Sequence, residues 1–169
     1  MKEEDFLEVV LPFKDKIYRL AKRILVSSDE AEDAVQEVFL KLWKGRSKMQ
    51  EYKKPEAFAM TMTKNYCLDR LKSKQASNLK IVHNNYVNPH ERLEDQVEAN
   101  EGVEMVFTIM KTLPEQQKLI LQLRDVEQYE FTEIAKVLDM NETAIRVALS
   151  RARKTVREEL IKQYNYGIN

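Results

Sequence analysis

The sequence predicts an all-α protein of two small helical domains joined by a flexible linker. Only three Gly and four Pro interrupt 169 residues, too few for the many tight turns of a sheet protein. Long stretches place apolar residues at helical spacing, and that periodicity fails once, between Gln75 and Asn100. Charge is also divided: net charge is zero, with 28 basic and 28 acidic residues, yet the two signs occupy different segments.

The first helical pattern runs from about Phe6 to Val26. Ile17, Leu20, Ala21, Ile24 and Leu25 share one face, and Pro12 marks a break or kink. A second helix opens at Ser27 or Ser28, where Ser27 and Glu30 have capping-box spacing. Its inward stripe is Ala31, Ala34, Val35, Val38, Phe39, Leu42 and Trp43, and Gly45 ends it. Pro55 starts a third helix, whose pattern continues through Phe58, Met62 and Tyr66 to about Ser73. The polar stretch that follows is the linker, which sets boundaries of 1–76, 77–102 and 103–169. Helical pattern resumes at Val103, Val106, Phe107 and Met110 and pauses at Leu113-Pro114. It then resumes over Leu119 to Leu123, Phe131 to Leu138, and Thr143 to about Leu160.

Several function classes drop out early. The sequence holds no phosphate-binding glycine loop, no H-E-x-x-H and no Ser/His/Asp grouping in a plausible context, so no enzyme is expected. His83 and His90 have no Cys or His partner nearby, and the single Cys67 reads as a core residue in a reducing cytoplasm, so neither a metal nor another cofactor is expected. The N-terminus is charged, and no apolar run approaches the roughly 20 residues that cross a bilayer; a cytoplasmic protein without membrane insertion is the expectation.

What remains is binding chemistry. Lys64, Arg70, Lys72, Lys74 and Lys80 form one basic block, with Asp69 as its single acid. Arg146, Arg151, Arg153, Lys154 and Arg157 form another, and Glu91, Glu94, Asp95, Glu98, Glu101 and Glu104 lie between the two. The acidic segment is expected to pack against a basic block in the free protein. From Thr132 to Arg157 a two-turn helix, a polar connection and a longer basic helix read as a helix-turn-helix. Ile134, Ala135 and Leu138 pack the first helix, Asn141 caps the second, and Ile145, Leu149, Ala152 and Val156 face inward. The opposite face carries Arg146, Val147, Ser150, Arg153, Lys154 and Arg157, cations that neutralise phosphates and donors that reach base edges. A solvated basic helix looks the same in isolation. On the second helix, Asp33, Gln36, Glu37, Leu40 and Lys41 form an outward stripe that suits a basic helical partner, although a plain solvated face with one stray leucine reads identically.

Motifs separate these readings. Leu113-Pro114-Glu115-Gln116-Gln117, Glu133-Ile134-Ala135, Thr143-Ala144-Ile145-Arg146 and Leu149-Ser150-Arg151-Ala152-Arg153-Lys154 resemble domain four of the sigma-70 family, extracytoplasmic-function (ECF) group. Asp29-Glu30-Ala31-Glu32-Asp33-Ala34-Val35-Gln36-Glu37-Val38-Phe39, followed by Trp43, resembles domain two of the same family. The resemblance implies a sigma factor that binds core RNA polymerase and recognises the minus-10 and minus-35 promoter boxes.

In that frame Asp33, Gln36, Glu37, Leu40 and Lys41 dock on the clamp coiled coil of the large subunit, the flap is a further contact, and Phe39 and Trp43 support the core. The third helix, with Phe58, Lys64-Asn65, Asp69 and Lys72, fits the family's minus-10 region. Tyr52 and Phe58 are stacking candidates there, and Lys64, Asn65, Arg70, Lys72 and Lys74 are polar and cationic contacts. Phe58 has core packing as its other reading, and Asp69 reads as a cap or ion pair. The minus-35 contacts implied are Thr143, Arg146, Val147, Ser150, Arg151, Arg153, Lys154 and Arg157. An anti-sigma factor is implied as well.

The chain departs from the family's pattern at Asp139 and Thr143, where Gly is frequent, and at Val147 and Ala148, where Ser and Arg are frequent at base-reading positions. Asp tolerates the left-handed conformation, so the turn is retained. A one-component helix-turn-helix regulator is the rival, but it gives Asp33, Gln36 and Glu37 no role. A helical adaptor that binds only protein leaves the basic residues from Arg146 to Arg157 without one.

Overall fold

The structure, a computed structural model, describes residues 1–78 and 100–167. Among these the regular elements are all helical, and they belong to two compact units.

The N-terminal unit begins with α1 (Glu3–Val10), a 3₁₀ turn (Leu11–Phe13) and α2 (Lys14–Leu25). Pro12 sits inside the 3₁₀ turn, so the expected kink is a change of helix type where the ring removes an amide donor. Then come α3 (Ser28–Lys44), the short α4 (Arg46–Met49), which the periodicity did not predict, and α5 (Pro55–Asn78). α2 is the hub and packs on both α3 and α5. Its predicted face, Ile17, Leu20, Ala21, Ile24 and Leu25, is buried. On α3 the inward residues are Ala31, Ala34, Val35, Val38 and Leu42. Phe39 and Trp43, expected in the same stripe, are half-buried; the Trp43 ring meets Phe6 edge to face at 5.1 Å.

α5 departs further from expectation. Its buried residues are Ala59, Met60, Thr63 and Cys67, whereas Phe58 is exposed and Met62 and Tyr66 are half-buried. Ala59, Thr63 and Cys67 recur at i, i+4 and i+8, and small side chains let this helix approach α2 closely. Thr63 meets its hydrogen-bond requirement locally by donating to the Ala59 carbonyl at 2.7 Å. Cys67 is fully buried, as read; burial first, and the Glu30 carboxylate second, push its thiol up to about 12, so it is inert packing rather than a nucleophile.

α2 stops at Val26, whose backbone turns left-handed (φ 62°) and whose N–H closes on the Lys22 carbonyl at 2.8 Å. This is a position where helices prefer glycine, and a β-branched side chain is strained there. Val26 is 44% exposed and contributes little packing in return. Val26→Gly should therefore stabilise the unit by about 1 kcal/mol, and thermal melting should show a rise of roughly 4 °C.

The C-terminal unit comprises α6 (Glu101–Met110), α7 (Glu115–Leu121), a π turn (Gln122–Val126), α8 (Phe131–Leu138) and α9 (Glu142–Tyr166). Asn100 caps α6 by accepting from Gly102 N–H at 3.2 Å, and Pro114 precedes α7, which accounts for the pause in the pattern. α9 packs on α6 and α7 and continues past the expected end near Leu160. Ile109, Met110, Leu119, Ile120, Leu123, Ile134, Ile145 and Leu149 make the core, while Val103, placed inward by its spacing, is 45% exposed. Gln122, also buried, donates to the Glu127 carboxylate at 3.2 Å, which gives the bend after the π turn its own polar partner.

α8 ends on Asp139 in the left-handed region (φ 52°), as the departure from glycine required. Most of the expected linker, together with His83, His90, Lys80 and the acidic residues Glu91, Glu94, Asp95 and Glu98, lies outside the described residues, and so does the expected packing of that acidic segment.

Candidate partner and nucleic-acid surfaces

The α3 stripe is present as expected. Asp33, Gln36, Leu40 and Lys41 are exposed and Glu37 is half-buried, all on the flank away from Ala34, Val38 and Leu42. Leu40 is 46% exposed in the middle of polar neighbours. Glu37 pairs with Lys41 at 3.7 Å, and the Lys41 ammonium lies 5.2 Å from the centre of the Tyr66 ring on α5. These contacts order the long side chains along the helix without covering the stripe.

At the other end of α3 a charge cluster appears that the sequence reading missed. Ser27 caps the helix by accepting from Glu30 N–H at 3.3 Å, but the Glu30 carboxylate does not return the favour among the described residues. It turns instead to α5, where it pairs with Arg70 at 3.6 Å and with Lys74. Two of the expected minus-10 cations are thus anchored on one carboxylate. Lys72 and Asn65 are exposed and Lys64 is half-buried. Asp69, expected as a cap or ion pair, is exposed and has no ion-pair partner among the described residues. Tyr52 and Phe58 stack on each other, with centroids 4.4 Å apart and planes inclined by 22°. Phe58 is 37% exposed and takes part in this stack at the surface, so it is not a fully buried core residue.

In the C-terminal unit, α8 and α9 form the expected helix-turn-helix. Asn141 caps α9 through Ala144 N–H at 2.8 Å. Ile145, Ala148, Leu149 and Ala152 point inward; Val156 is half-buried. Thr143, Arg146, Val147, Ser150, Arg151, Arg153, Lys154 and Arg157 are all exposed. Ala148 is 9% exposed on the core face, at the floor of the hollow that Thr143, Val147 and Arg151 also line, so of the two departures at base-reading positions Val147 is the exposed one.

Several outward cations are braced. Asp125 accepts from both Nε and Nη2 of Arg153, at 3.0 and 2.6 Å, and this hydrogen bonding raises the guanidinium pKa while burial opposes it and the Asp125 charge adds to it. Arg146 lies 4.6 Å from the Phe131 ring centre and 3.9 Å from Glu142; Arg124, which donates to the Tyr129 carbonyl, lies over the same ring at 4.6 Å.

Hollows lie along the unit's described residues. One of about 300 Å³ is lined by Phe131, Arg146, Ser150, Arg153 and Arg157. One of about 490 Å³ lies between Pro114, Gln116 and Gln117 of the α7 start and Thr143, Val147 and Arg151 of α9. A third, of about 470 Å³, is apolar, with Val106, Phe107, Leu121, Val126, Val156 and Leu160 in its walls. No helix among the described residues is long and apolar enough to cross a membrane.

Two family models match: sigma-70 region 2 over residues 9–77 and sigma-70 region 4 over residues 104–156. The chain is similar to the ECF RNA polymerase sigma factor SigW of Bacillus subtilis, at 21% identity over 94% of this chain and 90% of the relative. It also resembles the ECF sigma factor SigK of Mycobacterium tuberculosis, at 24% identity over 85% and 79%. Among solved structures it resembles the sigma factor RpoE bound to the anti-sigma factor NepR from Bartonella quintana, with TM-score 0.72, 19% identity and coverage of 93% and 97%. CnrH in complex with the cytosolic domain of CnrY gives TM-score 0.68, 15% identity and coverage of 95% and 90%.

Proposed function

The chain belongs to the sigma-70 family, in its extracytoplasmic-function group, and from that membership we propose how its surfaces divide the work of starting transcription. As a sigma factor it binds core RNA polymerase and promoter DNA and acts as an initiation factor, not an enzyme. The observation that carries this is the order of the two matched regions, region 2 over 9–77 and region 4 over 104–156, each falling on a helical unit with its own core.

We assign residues 1–76 to sigma domain two, 77–102 to the linker and 103–169 to sigma domain four. Asp33, Gln36, Glu37, Leu40 and Lys41 dock on the clamp coiled coil: a leucine framed by charges and an amide suits a basic helical partner, with burial of Leu40 giving affinity and the polar frame giving register. The apolar groove beside Val106, Phe107 and Leu160 suits the polymerase flap. Tyr52, Phe58, Lys64, Asn65, Arg70, Lys72 and Lys74 hold the melted minus-10 strand; the paired rings offer an outer π face to an unstacked base, and Glu30 keeps Arg70 and Lys74 together to meet the backbone. Thr143, Arg146, Val147, Ser150, Arg151, Arg153, Lys154 and Arg157 meet the minus-35 duplex, with cations on phosphates and the N-terminal turns of α9 in the major groove.

Control by an anti-sigma factor is proposed from the two solved relatives, each seen with such a partner or its cytosolic domain. A factor that works with core RNA polymerase on promoter DNA is expected in the cytoplasm, and we propose that location. Both matched regions are sigma regions, which removes the ground for a one-component regulator. The test is reconstitution: the purified chain added to core RNA polymerase should direct a discrete transcript from a two-box promoter, with little binding to the same duplex when polymerase is left out. Tight duplex binding as a dimer without polymerase would reject the assignment.

A further inference from the structure

The side chains of α9 divide into three sectors. Ile145, Ala148, Leu149 and Ala152 define the inward direction. At about 100° per residue the line opposite them passes through Thr143, Val147, Ser150 and Lys154. The arginines lie to the sides of this line. Arg146, Arg153 and Arg157 border the hollow beside Phe131, and Arg151 borders the groove shared with Gln116 and Gln117. Arg146 is laid against the Phe131 ring and Arg153 is held by two hydrogen bonds to Asp125, so these flanking positions are maintained by the fold.

The first three turns of α9 therefore present their outward centre as a hydroxyl-and-methyl surface: Thr143, then Val147, which is 45% exposed, then Ser150. An exposed valine on an ordinary surface needs no explanation. On the centre line of a helix whose N-terminal turns enter a major groove it has a chemical counterpart. The major-groove edges of the four base pairs offer donors and acceptors and a single apolar feature, the C5-methyl of thymine. The bidentate contact that singles out guanine takes an Arg or Lys, which neither Thr143, Val147 nor Ser150 is, and Val147 has only apolar contact to give.

We propose that Val147, aided by the Thr143 methyl, reads a thymine methyl, so that the upstream box of this sigma factor carries a thymine facing Val147 while the flanking arginines hold phosphates. The proposal rests on the assignment of this unit to the upstream box, and it adds the base class read there.

The test uses the full chain assembled with core RNA polymerase on a promoter library randomised across the upstream box. The enriched box is then remade with each thymine replaced singly by deoxyuridine, which deletes one methyl and leaves every hydrogen bond in place. At one or two thymines initiation should fall roughly fourfold, the worth of one methyl taken out of an apolar contact. In V147A, an exposed helix-compatible change, that difference should largely vanish, the thymine and deoxyuridine templates giving nearly equal initiation. Tolerance of deoxyuridine at every position, or an undiminished penalty in both V147A and T143S, would overturn the proposal. Initiation indifferent to the whole upstream segment would overturn it together with the upstream-box assignment.

Discussion

Replacing Gln36 by Ala and Glu37 by Arg together is expected to reduce affinity for core RNA polymerase roughly hundredfold, because a like charge set against a basic partner helix costs several kcal/mol at an interface. Transcript yield should fall with it. The fold should not: Gln36 is exposed, and the Glu37–Lys41 pair is a surface i, i+4 contact at 3.7 Å, worth well under about 1 kcal/mol. Binding of labelled protein to core polymerase gives the affinity, and a melting temperature within about 2 °C of the parent's confirms that docking alone was altered. The sign of the change matters more than its size. Glu37→Gln should be mild and Glu37→Arg severe, since only the second introduces repulsion. A normal transcript yield from the double variant would sink the docking assignment.

The second large effect concerns the reader helix. Leu149 is 2% exposed on the inward face of α9, in line with Ile145 and Ala152. Leu149→Ala should cost about 2–5 kcal/mol, the lost transfer energy plus an unfilled cavity. That is a large share of the stability of a small helical unit. Upstream-box recognition should therefore fail, while the docking stripe, which stands on the separate core of α2, α3 and α5, keeps its surface. Competition against the parent for core polymerase should remain measurable as upstream-dependent transcription disappears. Leu149→Met, which keeps the volume, should cost under about 1.5 kcal/mol and restore most of the activity. Equal loss of docking and upstream recognition in Leu149→Ala would show instead that the two units stand or fall together.

How far the sequence carried these conclusions differs from one element to the next. α2 was legible because five apolar residues at helical spacing mark one face and a proline marks the kink. α5 was misread in part. Phe58, Met62 and Tyr66 share a periodicity of large side chains, yet the buried face is the small-residue line of Ala59, Thr63 and Cys67 with Met60, since a close helix crossing selects for size and not for hydrophobicity alone. The spacing of Ser27 and Glu30 predicts a capping box. The position of Glu30 near Ser27 is local information, whereas its actual partners stand 40 and 44 residues away.

By itself the sequence determined that the chain is helical, where its principal helices lie, and which surfaces carry the chemistry, because periodicity, caps and charge patterning act between residues a few positions apart. The left-handed turn at Asp139, the Asn141 cap and the outward stripe from Asp33 to Lys41 all came from such short-range rules. Tertiary structure alone decided which charges are braced and which side chains face outward: Asp125 holding Arg153 across 28 residues, Phe131 supporting Arg146, and Ala148 turned inward while Val147 stays out. Those arrangements depend on how helices pack, and packing is a property of residues distant in sequence and adjacent in space.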